Sequence, residues 1–251
     1  MTSSLAIRAD ALSKRYGGTT AVDGLDLAVP AGSVYGFLGP NGAGKTTTVR
    51  MLATLLRPTS GTATVAGAPI DDRDAVRERI GYLPETPPLH EELTAREQLA
   101  YAAGLRDLPA DDAARRADAF LDRFDLADAA DRRIGTYSKG MRRKAGIAQA
   151  LLHDPAVALL DEPTAGLDPR AARTVRETVA GLAGETTVLL STHALPVVDE
   201  LADAVGVLSD GRLVAEGSPE RLKRRAAAGD EPTLEDAFLE ATGAEPDPGA
   251  D

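Results

Sequence analysis

Eight consecutive residues have the types and spacing of a phosphate-binding loop. They are Gly39, Pro40, Asn41, Gly42, Ala43, Gly44, Lys45 and Thr46. Glycines let the backbone curl so that successive N–H groups face one anion. A lysine at this spacing reaches the outer phosphates of a nucleotide, and the hydroxyl that follows it is a ligand for Mg²⁺. The loop therefore predicts nucleotide binding.

The segments on either side of this loop support the prediction. Val34–Leu38 is apolar throughout, which is typical of a buried strand. Residues 46–56 have Val49 and Leu52 at helical spacing and predict a helix. The N-terminus of such a helix carries a partial positive charge and binds phosphate.

A pair of acids ends a second apolar run. Residues 157–160 are Val-Ala-Leu-Leu, and Asp161 and Glu162 follow them. Phosphoryl transfer needs one acid that holds Mg²⁺ and another group that orients or deprotonates the attacking water. Asp161 suits the first task and Glu162 the second. The alternative is that the two acids are simply solvated at the end of a strand. The presence of the phosphate loop argues against this alternative.

Three shorter motifs accompany these two. They are Tyr-Ser-Lys-Gly-Met at 137–141, Ala-Gly-Leu-Asp at 165–168 and Ser-Thr-His at 191–193. With this ordered set, the chain resembles the ATP-binding subunit of an ABC transporter over about residues 7–217. The resemblance implies an α/β fold of the RecA-like P-loop NTPase type. Its parts are a mostly parallel sheet, an antiparallel β subdomain and an inserted helical subdomain. The implied cofactors are ATP and Mg²⁺.

The resemblance also assigns the signature loop, residues 137–141. In the family this loop closes over a nucleotide held by a second subunit, so Ser138 and the Gly140 backbone would contact the partner's γ-phosphate. Tyr137, Lys139 and Met141 depart from the usual Leu-Ser-Gly-Gly-Gln form.

Single residues receive roles from the same resemblance. His193 would contact the γ-phosphate and help to position the attacking water. Asp168 would communicate between the two sites of a dimer. Tyr16 would stack on adenine, and Thr47 would join the nucleotide-binding residues. Glu85 stands where the family most often has glutamine and would contact the metal beside Thr46 and Asp161.

The order of elements predicts the organisation of the chain. Strands that alternate with helices indicate a mostly parallel sheet covered on both faces. The domain is expected over residues 1–220, with the helical subdomain at about 86–150 and a capping box at Thr94. Residues 221–251 would form a tail with a short helix at 233–241 and a disordered end.

Composition limits location and partners. The 251 residues include no cysteine and carry a net charge of −11. No apolar run is long enough to span a bilayer, and no signal peptide is evident. The expected location is cytoplasmic, peripheral on the inner face of the cell membrane. Basic residues at 139–144 indicate a solvated helix start or an RNA patch, and the overall acidity argues against nucleic acid.

The function that follows is ATP hydrolysis that powers an export permease through ATP-driven dimer closure. The expected partners are a second ATP-binding subunit, as a homodimer, and a separate transmembrane permease. Residues 232–239 resemble the terminal helix of ABC-2 or multidrug-export ATPases. One alternative is a soluble ABC ATPase that acts on a macromolecular assembly, such as iron–sulfur cluster assembly. Another is a nucleotide sensor without turnover, against which Glu162 and His193 argue.

Overall fold

The computed structural model describes residues 4–226 and 232–243. Ten strands form two sheets within these residues. In chain order the strands are β1 (Leu5–Tyr16), β2 (Thr19–Pro30), β3 (Val34–Leu38), β4 (Ser60–Val65), β5 (Ala68–Pro69), β6 (Ile80–Leu83), β7 (Val157–Asp161), β8 (Thr187–Thr192), β9 (Ala204–Ser209) and β10 (Arg212–Gly217). The antiparallel sheet has the order β2-β1-β4-β5, and the second sheet has the order β10-β9-β3-β8-β7-β6. Only β10 runs antiparallel in the second sheet.

Nine α-helices accompany the strands in the described part of the chain. They are α1 (Lys45–Leu52), α2 (Arg73–Arg79), α3 (Ala95–Gly104), α4 (Ala110–Arg123), α5 (Lys139–Leu151), α6 (Pro169–Ala180), α7 (Leu195–Leu201), α8 (Pro219–Lys223) and α9 (Leu234–Thr242). None of these described helices combines the length and apolar character needed to cross a membrane.

The parallel sheet separates two hydrophobic cores. Along β7, Ala158 and Leu160 face the core shared with α3, α4 and α5. Val157 and Leu159 face the opposite core, which is shared with the antiparallel sheet and α1. A strand buried on both faces has no polar side to reveal, so it appears in the sequence as an unbroken apolar run. The predicted α/β fold class is confirmed.

The inserted helical block consists of α3, α4 and α5. Thr94 begins α3 with the predicted capping box, in which its hydroxyl accepts from the N–H of Glu97 and the Glu97 carboxylate accepts from the N–H of Thr94. Helix α5 passes close to β6, since a Cβ on Gly81 would lie 2.1 Å from the carbonyl oxygen of Ala150. Only glycine permits this approach, which brings the helical block against the parallel sheet.

Two elements near the N-terminus differ from their predicted extents. The apolar alternation of residues 5–8 predicts a short strand there, but β1 continues to Tyr16. Register shifts and a left-handed Ala11 (φ 48°) interrupt its alternation and hide its length. The helix after the phosphate loop was expected over residues 46–56 and instead ends at Leu52. Thr54 adopts a left-handed conformation (φ 60°), and the N–H of Leu55 returns to the carbonyl of Arg50.

The C-terminal helices pack on the domain. Leu234, the first residue of α9, is buried in the core beside the helical layer, and Phe238 packs against it. Helix α9 lies within one residue of the predicted span 233–241. The division into a domain at 1–220 and a tail at 221–251 stays a prediction. The expected disordered end, residues 245–251, lies outside the described residues.

A carbonyl oxygen joins the helical block to the parallel sheet. Nε2 of His153 lies 3.0 Å from the Ile80 oxygen, and Nη2 of Arg106 donates to the same oxygen at 3.2 Å. A carbonyl only accepts hydrogen bonds, so the proton of His153 lies on Nε2. Burial, helped by the Arg106 charge, lowers the pKa of His153 to about 4. His153 is therefore neutral in the folded chain near pH 7.

Acid should weaken this contact between the helical block and the parallel sheet. The pKa of His153 is about 4 in the folded chain against 6.5 ordinarily, so the unfolded chain binds more protons between these pH values. The His153 contribution to stability is complete above pH 6.5 and is lost as the pH falls toward 4. We expect H153Q to remove about 2 kcal/mol of the pH dependence of unfolding in this window, allowing for partial solvent access. Urea denaturation from pH 7 to 4 measures it. An unchanged slope in H153Q would contradict the assignment.

Candidate nucleotide site

Four neighbouring parallel strands bring the sequence motifs to one edge. The order β3-β8-β7-β6 makes their carboxyl ends adjacent, and the register pairs Leu38 with Thr192 and Asp161 with Ser191. The phosphate loop (residues 39–46) follows β3, the two acids end β7, His193 follows β8 and Glu85 follows β6. Ligands of open α/β sheets bind at this edge.

The phosphate loop is closely packed against the first hairpin. Gly44 has φ 102° and precedes α1. A Cβ on Gly44 would lie 2.4 Å from the carbonyl oxygen of Ala21 on β2, so both its conformation and its surroundings require glycine.

Lys45 is buried within this loop. Its ammonium donates to the carbonyl oxygens of Gly39 and, at 3.1 Å, Pro40. Burial lowers its pKa, and the charges of Glu162 and Asp161 oppose that effect. The lysine charge thus lies in the loop, next to the carboxylates of β7.

Asp161 has one carboxylate oxygen without a partner. Its side chain is 1% exposed. Oδ1 accepts a short hydrogen bond from Oγ of Ser191 and a 3.3 Å bond from Oγ1 of Thr46. Oδ2 is buried and accepts no hydrogen bond. A buried carboxylate oxygen is costly when it is unsatisfied, and oxygen ligands next to a hydroxyl suit Mg²⁺. These residues fit a cation.

Glu162 is held by the residues that end β8. Its Oε2 accepts from Oγ1 of Thr192 at 3.0 Å, and its Oε1 accepts from the His193 N–H at 3.1 Å. Nδ1 of His193 lies 2.8 Å from the same Oε1. Glu162 also has a left-handed backbone (φ 50°), with its N–H bonded to the Ser191 carbonyl at 2.8 Å. This conformation is strained for a non-glycine residue and is concentrated at functional sites.

Three side chains at this edge had no predicted role. Ser191 and Thr192 orient the two acids. Their position directly before His193 in the sequence is the feature from which this role could have been predicted. The alternative interpretation of residues 139–144 as a solvated helix start does not hold for Arg143, which is 3% exposed. Its Nη1 donates to the carbonyls of Pro84 (2.9 Å) and Asp161 (3.4 Å). Burial lowers its pKa against the opposing charge of Asp161.

The signature loop lies against the segment that follows Glu162. Ser138 is exposed and caps α5 by accepting from the N–H of Met141. A Cβ on Gly140 would lie 3.4 Å from Leu167. Asp168 caps α6 by accepting from the N–H of Ala171 at 2.9 Å. In the described part of the chain, no hydrogen bond joins the signature loop to the phosphate loop.

Tyr16 and Glu85 lie at the margins of the site. Tyr16 ends β1 and is 49% exposed. Glu85 is exposed after β6, and its charge acts on Arg143. Thr47 is half-buried in the first turn of α1.

Comparison with known proteins identifies the family. The family model described as ABC transporter matches residues 22–165. The chain belongs to the ABC transporter family. As an ABC ATPase, it binds and hydrolyses ATP. It is 49% identical over 220 residues to the daunorubicin resistance ATP-binding protein DrrA3 of Streptomyces coeruleorubidus, covering 87% of this chain and 70% of that protein.

Two further relatives agree. The bacitracin transport ATP-binding protein BcrA of Bacillus licheniformis is 39% identical over 225 residues, covering 88% of this ABC ATPase and 72% of the relative. A solved structure titled as the ATP-binding subunit of an ABC transporter superposes with a TM-score of 0.87 at 30% identity, covering 95% of this chain and 99% of the other. These names do not favour the soluble-assembly alternative.

Tyr137 fixes the start of the signature loop. It is 4% exposed, and its hydroxyl donates to the buried Ala129 carbonyl at 2.6 Å. We expect Y137F to lower the free energy of unfolding by about 1–2 kcal/mol, because the carbonyl loses its partner. Denaturant titration measures the change. The control Y101F alters a half-exposed ring and should stay within about 0.5 kcal/mol of the parent. Equal effects of the two variants would refute the anchoring role.

Proposed function

We propose that two copies of this ABC ATPase bind each ATP between them. The phosphate loop of one copy would hold the triphosphate, and Ser138 and Gly140 of the other would close over the γ-phosphate. The observation that carries the proposal is the separation within one chain: the catalytic acids adjoin the phosphate loop, whereas the exposed Ser138 has no hydrogen bond to it. The exposed N-terminus of α5 is suited to a phosphate brought by a partner.

Mg²⁺ would bind at Asp161. The unpartnered Oδ2 of Asp161 and the nearby hydroxyl of Thr46 support this position. Glu85 would contribute from the end of β6. The ion would neutralise charge on the β- and γ-phosphates, and Lys45 would exchange its loop carbonyls for phosphate oxygens. Tyr16 would stack on adenine, and Thr47 would contact the phosphates.

Glu162 would orient or deprotonate the attacking water. Its carboxylate faces His193 and Thr192, and both hold it next to Asp161. His193 would contact the γ-phosphate once the nucleotide is bound. Asp168 follows Leu167, which lies against the signature loop. It would transmit closure of the dimer between the two ATP sites.

The membrane partner would be a separate permease that docks in a cleft between the helical block and the sheet. The cleft has a volume of about 950 Å³ and is lined from both sides, by Leu55 and Tyr82 on one and Leu105 and Arg106 on the other. Leu55 is 55% and Leu105 67% exposed, so an apolar segment would bury them. Strand β6 forms one wall through Ile80 and Tyr82, and Glu85, two residues beyond the end of this strand, would link the cleft to the site. The protein would then be peripheral on the cytoplasmic face of the membrane.

The export direction accords with the relatives, which are named for daunorubicin resistance and bacitracin transport. Bound ATP would favour the closed dimer, and hydrolysis would favour the open dimer. The nucleotide would thus select one of two conformational states. The permease would convert this exchange into transport.

Replacing Glu162 by glutamine separates binding from turnover. We expect E162Q to lower ATP hydrolysis by about 100-fold or more, because the water loses its base, and to form a dimer with ATP and Mg²⁺. Phosphate release and light scattering after size exclusion measure the two effects. In E162Q/G140D a Cβ at position 140 would lie 3.4 Å from the tip of the Leu167 side chain and 3.9 Å from Oγ of Ser138, both ordinary contact distances. Folding should therefore persist, while the added charge prevents dimer formation. Unchanged turnover in E162Q would refute the role of Glu162.

If the permease docks in this cleft, a charged substitution there should reduce membrane association without affecting ATP hydrolysis. We expect L105D to reduce the fraction bound to membranes that contain the permease by about 10-fold, since burial of a leucine is lost. Sedimentation with those membranes measures it. ATP hydrolysis by the isolated subunit should not change. The control V214D alters a similarly exposed apolar residue on β10 and should bind normally. Equal binding of L105D and the parent would exclude this cleft.

A further inference from the structure

A lysine lies against the ring assigned to adenine. Nζ of Lys14 is 5.2 Å from the centroid of the Tyr16 ring. The two residues are separated by one position near the end of β1. The 5.2 Å distance is within the range of a cation–π interaction.

The lysine is itself fixed in place. Its Nζ donates to the carbonyl oxygen of Arg57 at 2.7 Å, in the segment that leaves α1. The same segment is tied to β1 by the N–H of Thr59, which bonds to the Ser13 carbonyl at 2.8 Å. Within the described residues, Lys14 has no carboxylate partner. Its charge is therefore not neutralised by an ion pair beside the ring.

The tyrosine needs such support. Tyr16 ends its strand, is 49% exposed and precedes two glycines that have open space around them. A half-exposed ring must lose rotamer freedom when it stacks on a base. A cation held at the ring limits that freedom beforehand. It also withdraws electron density from the ring, which favours stacking against an electron-rich purine.

We propose that Lys14 is a positioning residue for the nucleotide base, holding Tyr16 by its ammonium so that the ring can stack on adenine. The proposal rests on the assignment of Tyr16 under the proposed function. Lys14 acts through the ring and not on the phosphates, so its contribution depends on the presence of both Tyr16 and the base.

Binding measurements on six proteins test the proposal: the parent, K14M, Y16L, K14M/Y16L, K14R and K223M. Isothermal titration with ATP and Mg²⁺, with every protein in the E162Q background to prevent hydrolysis, gives each Kd. We expect K14M to raise the Kd about 2- to 5-fold, as a cation–π contact does, and Y16L to raise it about 10-fold. In the Y16L background, K14M should have no further effect. K14R keeps the cation and should restore the parent Kd, and the distant control K223M should match the parent.

Tripolyphosphate with Mg²⁺ supplies the second readout, because it has the phosphates and no base. Its Kd should be equal in the parent and K14M. If K14M weakens tripolyphosphate as much as ATP, Lys14 acts through the phosphate loop and the proposal is overturned. If Y16L lowers ATP affinity but K14M does not, only the role of Lys14 fails. If Y16L has no effect on ATP affinity, the adenine site itself is misplaced.

Discussion

The buried carboxylate of Asp161 is the constraint on which the rest of the site depends. A charged group with an unpartnered oxygen is stable there only if the surroundings compensate for lost hydration. Ser191 and Thr46 bond its other oxygen, and the Lys45 ammonium lies nearby. Strand order makes this possible, because β3 and β8 bring the phosphate loop and Ser191 beside the end of β7. The site is thus a consequence of parallel strands that end together.

The same edge is connected to the helical block by short, buried contacts. Arg143 extends from α5 to the carbonyls of Pro84 and Asp161. At the opposite end of β6, Ile80 accepts from His153 and Arg106. Movement of the helical block would therefore act on both ends of β6. This arrangement gives a physical route by which an occupant of the cleft and a nucleotide can influence each other.

Much of the framework could be predicted from the sequence. The strands around the phosphate loop are buried on both faces, so they appear as apolar runs next to glycines and acids. The capping box at Thr94 is a local interaction between residues three positions apart, so it could also be predicted from the sequence. The full length of β1 was hidden by its bulges, and the end of α1 depends on the left-handed Thr54. Arg143 and Lys14 could not be assigned because their partners are distant backbone carbonyls and, for Lys14, the ring of Tyr16.

On the proposed function, a second chain completes the ATP site. Since the chain has no cysteine, a pair introduced as S138C and N41C in the E162Q background reports directly on this contact. With Mg²⁺ and ATP, mild oxidation should yield a disulfide-linked dimer, and with ADP it should yield monomer. A monomer with both nucleotides, in a protein that still binds ATP, would contradict the account.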